Sequence, residues 1–355
     1  MNIPHEGSAL LAFLKASLSG IPSDPERLPS AIDWFFLQRM ARRHRLGPLL
    51  HDGFRRSLFV GVPDWLWTDW EAQYREAVAL ALYHRGALAE IAAVFEDRGV
   101  PFILLKGEAL SKDLYPRDGL RPYYDDIDLL IQSGSYETAK AILMGLSFRL
   151  RRPSEEAEKR RLFGEIEFDR EGVRTLTVDL HWDTLMASWE RQSLFKEHHT
   201  WASLHRVQVG NRAVPVLGDE ALLLYLCIHF AFHHVFDGLI HLCDLFLLLS
   251  RDAERLDWGR LLAMAARCQC QHALYFSLVF VKALLAAQVP PGILERLRPS
   301  APIRTLMPTS RLPFRATPVP QLLERYVKFL LIDTQEGRWG ALRAWLQSSK
   351  PFLGR

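Results

Sequence analysis

The run Asp126-Ile127-Asp128-Leu129-Leu130-Ile131 constrains this chain more than any other segment. Its composition suits a β-strand, on which residues two apart point to one face, about 6.6 Å apart along the chain. Asp126 and Asp128 then project together, while Ile127 and Leu129 take the opposite face. Aspartate is depleted in strands, so a pair on one face calls for a reason. A second run, Leu176 to Trp182, alternates in the same way and puts Thr177, Asp179 and His181 opposite Leu176, Val178 and Leu180. If the two strands are neighbours, three carboxylates converge. Two carboxylates about 5 Å apart repel by about 3 kcal/mol even at an effective dielectric of 20. A divalent cation removes that cost, and Mg²⁺ prefers oxygen ligands of this kind. Two such ions could clamp the attacking and leaving oxygens of a phosphoryl group. Taken alone, D-x-D is also found harmlessly on exposed edge strands.

The residues upstream make the pattern more specific. Val100 to Leu105 is a short β-favouring run ending at Lys106-Gly107, and Glu108 to Leu114 can start a helix there. A glycine at a strand-to-helix junction lets phosphate approach the backbone closely, and Lys106 adds a positive charge. A Pro- and Gly-punctuated loop, Tyr115 to Pro122, then leads to the D-x-D strand. Beyond it come a helix from about Ser135 to Gly145 and a hairpin made of Gly164–Phe168 and Arg174–Trp182. These elements form a small mixed α/β unit over residues 99–187, between a helical region at 1–98 and a second at 188–355. The last region is expected to be mostly helical from Ser188, with a Pro-rich connector at 299–320 and final helices at Gln321–Ile332 and Arg338–Gln347.

Composition narrows the function classes. The chain has 355 residues, 49% hydrophobic and 24% charged, which is ordinary for folded globular domains. Its 44 basic and 41 acidic residues leave +3, too even to argue for nucleic acid or an anionic membrane. Four cysteines, Cys227, Cys243, Cys268 and Cys270, do not make a disulfide framework. The N-terminal residues lack a basic-then-apolar leader pattern. The most apolar stretch, Ala221–Leu249, is interrupted by His229, His233, His234, Asp237, His241 and Asp244, a load that a membrane span does not tolerate. A cytoplasmic protein with no membrane partner is therefore expected.

The Lys-Gly turn, D-I-D-L-L and D-L-H-W resemble the uncharacterised nucleotidyltransferase family of the DNA polymerase β-like nucleotidyltransferase superfamily. The resemblance is strongest from Val100 to Trp182 and extends over most of the chain, as far as the Asp333 and Arg338 segment. It implies an α+β fold, a small mixed-sheet nucleotidyltransferase core flanked by N- and C-terminal helical regions. It also implies use of ATP or another nucleoside triphosphate with Mg²⁺ or Mn²⁺, and an association with bacterial specialised-product and exopolysaccharide pathways. By the match, Gly107 is the phosphate-binding glycine, Asp126 and Asp128 are the metal-binding pair, and Asp179 is the third carboxylate. Lys106, Arg121 and His181 join the nucleotide-binding set. Two departures stand out. The superfamily's turn is usually Gly-Ser or Gly-Gly, whereas Gly107 lies between Lys106 and Glu108. The family's arginine stands four residues before the first aspartate, whereas Arg121 stands five before Asp126, so either a residue is inserted or Asp125 shares the role.

Leu222, Leu226, His229 and His233 are spaced to share one helix face, and Asp237, His241 and Asp244 continue a polar line. Singly, each histidine reads as a core polar group satisfied by its neighbours. Together they are costly to bury, and the resemblance places an H-x-x-x-H helix followed by an Asp here, so His229, His233 and Asp244 are expected to orient nucleotide or acceptor. The competing reading is a zinc site built from the same three residues. The basic runs at Arg39–Arg45 and Arg149–Arg161 read as solvated faces. The second lies close enough to the proposed cleft to touch an anionic acceptor, RNA or a phosphorylated metabolite, though the interleaved aromatics that read single strands are absent and nucleic acid is not expected. The leading expectation is transfer of a nucleotidyl group to a hydroxyl of a small molecule or peptide. Phosphoryl or pyrophosphoryl transfer from the same site and a catalytically silent binding module are the alternatives.

Overall fold

The computed structural model describes residues 5–23, 32–122, 126–162, 164–182, 201–252, 254–307, 319–334 and 338–339. The chain divides into two compact units, one spanning 4–186 with 195–218 and the other formed chiefly by 219–355.

The first unit opens with helices α1 (His5–Ser19), α2 (Trp34–Arg43), α3 (Gly47–Arg55) and α4 (Asp64–Asp97). Asp33 caps α2 by accepting a hydrogen bond from the Phe36 amide at 2.9 Å, which satisfies one of the helix's open donors. Among the described residues α4 is the one helix long and apolar enough to cross a membrane. Its stripe of Ala87, Leu88, Ile91, Ala92 and Phe95 is instead buried in the unit's own core.

The rest of this unit is a mixed sheet. In chain order it comprises β1 (Phe102–Leu104), α5 (Glu108–Leu114), β2 (Asp126–Ile131), α6 (Tyr136–Gly145), β3 (Arg149–Leu150), α7 (Glu156–Leu162), β4 (Glu165–Arg170), β5 (Leu176–His181), β6 (Leu204–Val209) and β7 (Arg212–Leu217). The spatial order is β3-β4-β5-β2-β1-β7-β6. Pairing is parallel for β2–β5 and β1–β7 and antiparallel elsewhere. An α+β architecture with a mixed sheet is thus present, and β2 starts and ends where its alternation predicts.

Alternation decides which face is covered. Ile127, Leu129, Ile131, Leu176, Val178 and Leu180 enter one core with the α4 stripe and with Ala139 and Leu143 of α6. Phe95 meets Phe102 edge-on at 5.6 Å. Truncating a filled position such as Leu129, which is fully buried, would cost about 2–5 kcal/mol. The other face carries Asp126, Asp128, Asp179 and His181 alongside buried Leu130.

One expectation needs correction. The texture of the segment after Ser188 predicts mostly helix, yet Leu204–Val209 and Arg212–Leu217 form a hairpin that joins the sheet through β7. The turn is Gly210-Asn211 with Gly210 at φ 62°, a two-residue connection suited to hairpins. Pro215 is tolerated because β1 reaches β7 only at the Leu104–Val216 pair, so the ladder ends beside the proline. Residues 183–200, which precede this hairpin, lie outside the described residues, as do Asp125, residues 308–318 of the 299–320 connector and nearly all of the expected Arg338–Gln347 helix.

The second unit is helical: α8 (Asp219–Ile228), α9 (Leu239–Asp252), α10 (Trp258–Arg267), α11 (Gln271–Leu285), α12 (Ile293–Leu297), α13 (Ala301–Leu306) and α14 (Gln321–Leu331). Every residue of α8 from Ala221 to Ile228 is buried, as expected for a helix that is apolar all round. Asp333 accepts from the Gln271 and His272 amides at 2.7 and 3.0 Å and so closes the start of α11. The four cysteines are buried thiols outside any disulfide, and burial pushes the Cys227 thiol up to about 12, so they serve packing.

Candidate active site

The parallel pairing of β2 with β5 sets Asp128 directly beside Asp179, with Leu130 beside His181 two residues on. The alternation that sends Leu180 and Leu129 into the core sends these polar groups to the opposite face. Ligating atoms of Asp128, Asp179 and His181 all lie within 4.8 Å of one another. Asp128 is 2% exposed, Asp179 and Asp126 are partly buried, and His181 is buried. Asp126 lies outside that tight group, yet the charges of Asp128, Lys106, His181 and Arg121 all act on its carboxyl.

Positive charge is supplied from two sides. The Lys106 ammonium stands 2.7 Å from Asp128 Oδ1. His181 Nε2 lies 3.1 Å from the same oxygen, and its Nδ1 lies 3.3 Å from Glu165, the residue opposite it on β4. Burial opposes the charge on Asp128, but Lys106 and the hydrogen bond from His181 outweigh it and hold this carboxyl well below its ordinary range. Burial likewise disfavours charge on His181, and Asp128 with Glu165 reverses the balance so that its pKa rises. Among the described residues, neither Asp126 nor Asp179 forms an ion pair within 4.0 Å. Burial, then the charge of Asp128, pushes Asp126 up to about 6 and Asp179 up to about 8.

This imbalance tests whether the residues suit a divalent cation. Asp179 Oδ1 is buried and has no hydrogen-bond partner, an arrangement native proteins rarely keep without a ligand. Asp128 and the open oxygen of Asp179, with Asp126 two residues away on the same strand, offer the hard oxygen donors that Mg²⁺ and Mn²⁺ select, and His181 stands beside them. The residues fit.

The neighbouring turn is built for close approach. Gly107 has φ 58° and ψ −113°, a combination open to glycine but not to residues with a Cβ, and Ala109 N donates to Lys106 O at 3.1 Å across it. Lys106, Gly107 and Asp126 line one narrow hollow with His84 and Glu108. Glu108 is 3% exposed and is held by the Arg85 Nε at 2.7 Å. Arg85 also pairs with Asp118 at 2.9 Å, and Lys112 reaches the same carboxylate at 2.6 Å. This lattice ties the Gly107 turn and the following loop to α4. Arg121, 2% exposed, is one of the largest fully buried side chains.

Sequence reading brought Asp126, Asp128, Asp179, His181, Lys106 and Gly107 to one place, and the structure assembles them there. Arg85, Glu108 and Glu165 were missed. Glu165 becomes visible only once β4 is paired with β5, and Arg85 lies 21 residues before Lys106 on a helix whose rotation the sequence does not announce. Within the Arg149–Arg161 run, Arg151 pairs with Asp169 at 2.8 Å and Arg160 with Glu137 at 2.6 Å.

The histidines of the second unit are arranged differently from the expected His229, His233 and Asp244 set. α8 gives way at Ile228 to a π-helical turn, His229–His233. Ligating nitrogens of His229, His234 and His241 lie within 4.8 Å of one another. The His233 ring stacks on His229 at 5.0 Å, and Asp244, fully buried on α9, is not in that group.

A family profile described as "Uncharacterised nucleotidyltransferase" matches residues 30–286. Among solved structures, the antibiotic-resistance factor ANT(2'')-Ia is similar at 17% identity, covering 52% of this chain and 90% of that one with a TM-score of 0.36. An antigenic nucleotidyltransferase-like protein from Paracoccidioides brasiliensis is similar at 13% identity, covering 60% and 96% with a TM-score of 0.38. No curated protein sequence matches significantly.

Proposed function

The chain belongs to the uncharacterised nucleotidyltransferase family, and from that premise we propose that it moves a nucleotidyl group, AMP from ATP, onto a hydroxyl of a small molecule or peptide and releases pyrophosphate. The observation that carries the reading is the pairing of Asp128 with Asp179 beside the Lys106-Gly107 turn. Asp126, Asp128 and Asp179 would hold Mg²⁺ or Mn²⁺, which when bound offsets triphosphate charge and acidifies a nearby hydroxyl. The Gly107 turn admits the phosphate chain against the backbone, where a side chain would block it. Lys106, released from Asp128 as substrate charge enters, turns its ammonium to the departing pyrophosphate. Asp179, set beside Asp128 by the strand pairing, uses a carboxylate oxygen not engaged by the ion to accept the proton lost by the acceptor hydroxyl as that hydroxyl's oxygen attacks the α-phosphorus. His181, locked between Asp128 and Glu165, keeps the Asp128 oxygen oriented. Arg121 adds fixed positive charge near Asp126. Cysteines kept as buried thiols and a nucleoside triphosphate substrate suit a cytoplasmic location.

Incubation with α-labelled and, separately, γ-labelled ATP and candidate acceptors tests this. Label from the α position should reach the acceptor, and none from the γ position. Transfer of γ label alone would replace the reading with phosphoryl transfer. Calorimetry with ATP and Mg²⁺ against ATP and EDTA should show metal-dependent binding, and binding without transfer to any acceptor would favour a silent module.

A further inference from the structure

We propose that His229, His234 and His241 form a site for a divalent transition-metal ion of the zinc type, independent of the carboxylate site and of the nucleotidyl-transfer reading. Their ligating nitrogens lie within 4.8 Å of one another, so shifts of about an ångström in side-chain position bring all three to one ion. The rings already cluster: His229 to His234 at 4.6 Å, His229 to His241 at 5.5 Å and His234 to His241 at 4.0 Å between centroids.

The backbone explains how they meet. In an α-helix His229 would share a face with His233, four residues on, and His234 would point elsewhere. Here the His234 amide donates to the His229 carbonyl at 3.2 Å, a five-residue spacing that brings His234 round to His229. The chain then reverses: the Phe236 amide donates to the Phe230 carbonyl at 2.9 Å, and Val235 and Phe236 both take positive φ, at 51° and 59°. A β-branched residue in that region is an outlier, and such strain persists where the surroundings over-determine it. Phe236 supplies that anchor, fully buried against Phe230 and Phe280 at 5.3 and 5.0 Å. Gly238 follows at φ 107°, and a Cβ there would come within 3.0 Å of the His241 ring. The missing side chain lets His241, near the start of α9, close over the turn.

The donor set selects the ion. Three imidazole nitrogens suit Zn²⁺ and its neighbours, whereas Mg²⁺ and Ca²⁺ require oxygen. A tetrahedral ion held by three histidines keeps a fourth position for water or for the His233 ring beside His229. With all four cysteines buried, thiolate capture of added zinc is not a competing route.

The full chain, stripped with chelator and then loaded with ZnCl₂ or CoCl₂ before desalting, provides the test. Expected results are one zinc retained per chain, visible d–d absorption of bound Co²⁺ with intensity typical of four-coordination, and a zinc-dependent rise in Tm. His234→Gln and His241→Gln should each weaken zinc binding by about tenfold or more, while Asp128→Asn should leave it unchanged. Retention undiminished in both histidine variants, or lost in Asp128→Asn, would overturn the proposal. If either histidine variant fails to fold, the unaltered chain still decides, because absence of the Co²⁺ band and of zinc retention refutes the site.

Discussion

The carboxylate face of the sheet and the histidine turn of the helical unit are both clusters of ligating side chains, but they are assembled by opposite means. On β2 and β5 the backbone is regular, and strand period and register alone put Asp128 beside Asp179. At 229–238 the cluster exists because regularity fails: a π-turn, two non-glycine residues at positive φ and a glycine reversal bring His229, His234 and His241 together. The first site stores its tension in charge, the second in backbone conformation. Each form of tension can be removed by substitution, and the outcomes should differ.

Removing charge where it holds the site together should have the largest effect. Asp128→Asn takes away the negative charge shared by Lys106 and His181 and one anionic donor of the cation set. A loss of nucleotidyl transfer of about 10³-fold or more is expected, measured with α-labelled ATP. Full activity in a folded Asp128→Asn protein would break the comparison at its root.

Asp179→Asn should separate function from stability. Transfer should fall by about 10²-fold, as expected for loss of a general base. Stability should move the other way. The folded chain favours the proton on Asp179, whose pKa is about 8, and on Asp126, at about 6, so their stabilisation is complete below about pH 4 and is lost as pH rises through those values. His181, raised above its ordinary value, loses its contribution in the same direction. Asp128 acts oppositely, but only in acid below its ordinary range. In EDTA, Tm should therefore fall from pH 5 to pH 8.5, and Asp179→Asn should recover about 5 °C at the upper end. Mg²⁺ should flatten the same slope in the unaltered chain.

The contrast also explains what could be read in advance. The D-I-D-L-L-I strand, its partner, the glycine turn and the helices on either side follow from local period and turn chemistry, so the acidic site was legible almost residue by residue. The hairpin Leu204–Leu217 carried a signal too, in the alternation of Val207, Val209, Val214 and Val216 about Gly210-Asn211, but Pro215 and the helical texture around it masked the strands. The support from Arg85 and Glu165 depends on tertiary pairing and left no local trace. The histidine grouping could not be extrapolated, because spacing rules assume an unbroken α-helix and the chain leaves it at His229. Helix spacing pointed to His233 and the family resemblance to Asp244, whereas the nitrogens that come within 4.8 Å of one another are those of His229, His234 and His241.

Gly107→Ala sharpens the comparison with an intermediate effect, since it introduces backbone strain into the site that otherwise has none. At φ 58° and ψ −113° alanine is disfavoured, which should cost about 1–2 kcal/mol of stability. The added methyl also occupies the space against which phosphate would lie. KM for the nucleotide should rise about tenfold with a smaller change in kcat, as a steady-state titration with ATP would show. A larger loss in kcat than in KM would move Gly107 from binding to chemistry.

The smallest effect tests whether the strain at Val235 differs in kind from other left-handed residues in the same unit. Ala286 has φ 61° at the end of α11, is exposed, and receives the chain as it leaves the helix, with its amide donating to Lys282 O at 3.1 Å. This is an ordinary helix terminus at which glycine is preferred. Ala286→Gly loses little packing and relieves the conformational cost, so it should stabilise the protein by about 0.5–1 kcal/mol, seen as a Tm increase of about 2 °C. Val235→Gly, at a buried position in the histidine turn, removes both strain and the side chain packed there, and should instead lower Tm. If the two substitutions behaved alike, the turn would be an ordinary helix end, and its strained backbone would carry no information about the cluster it holds.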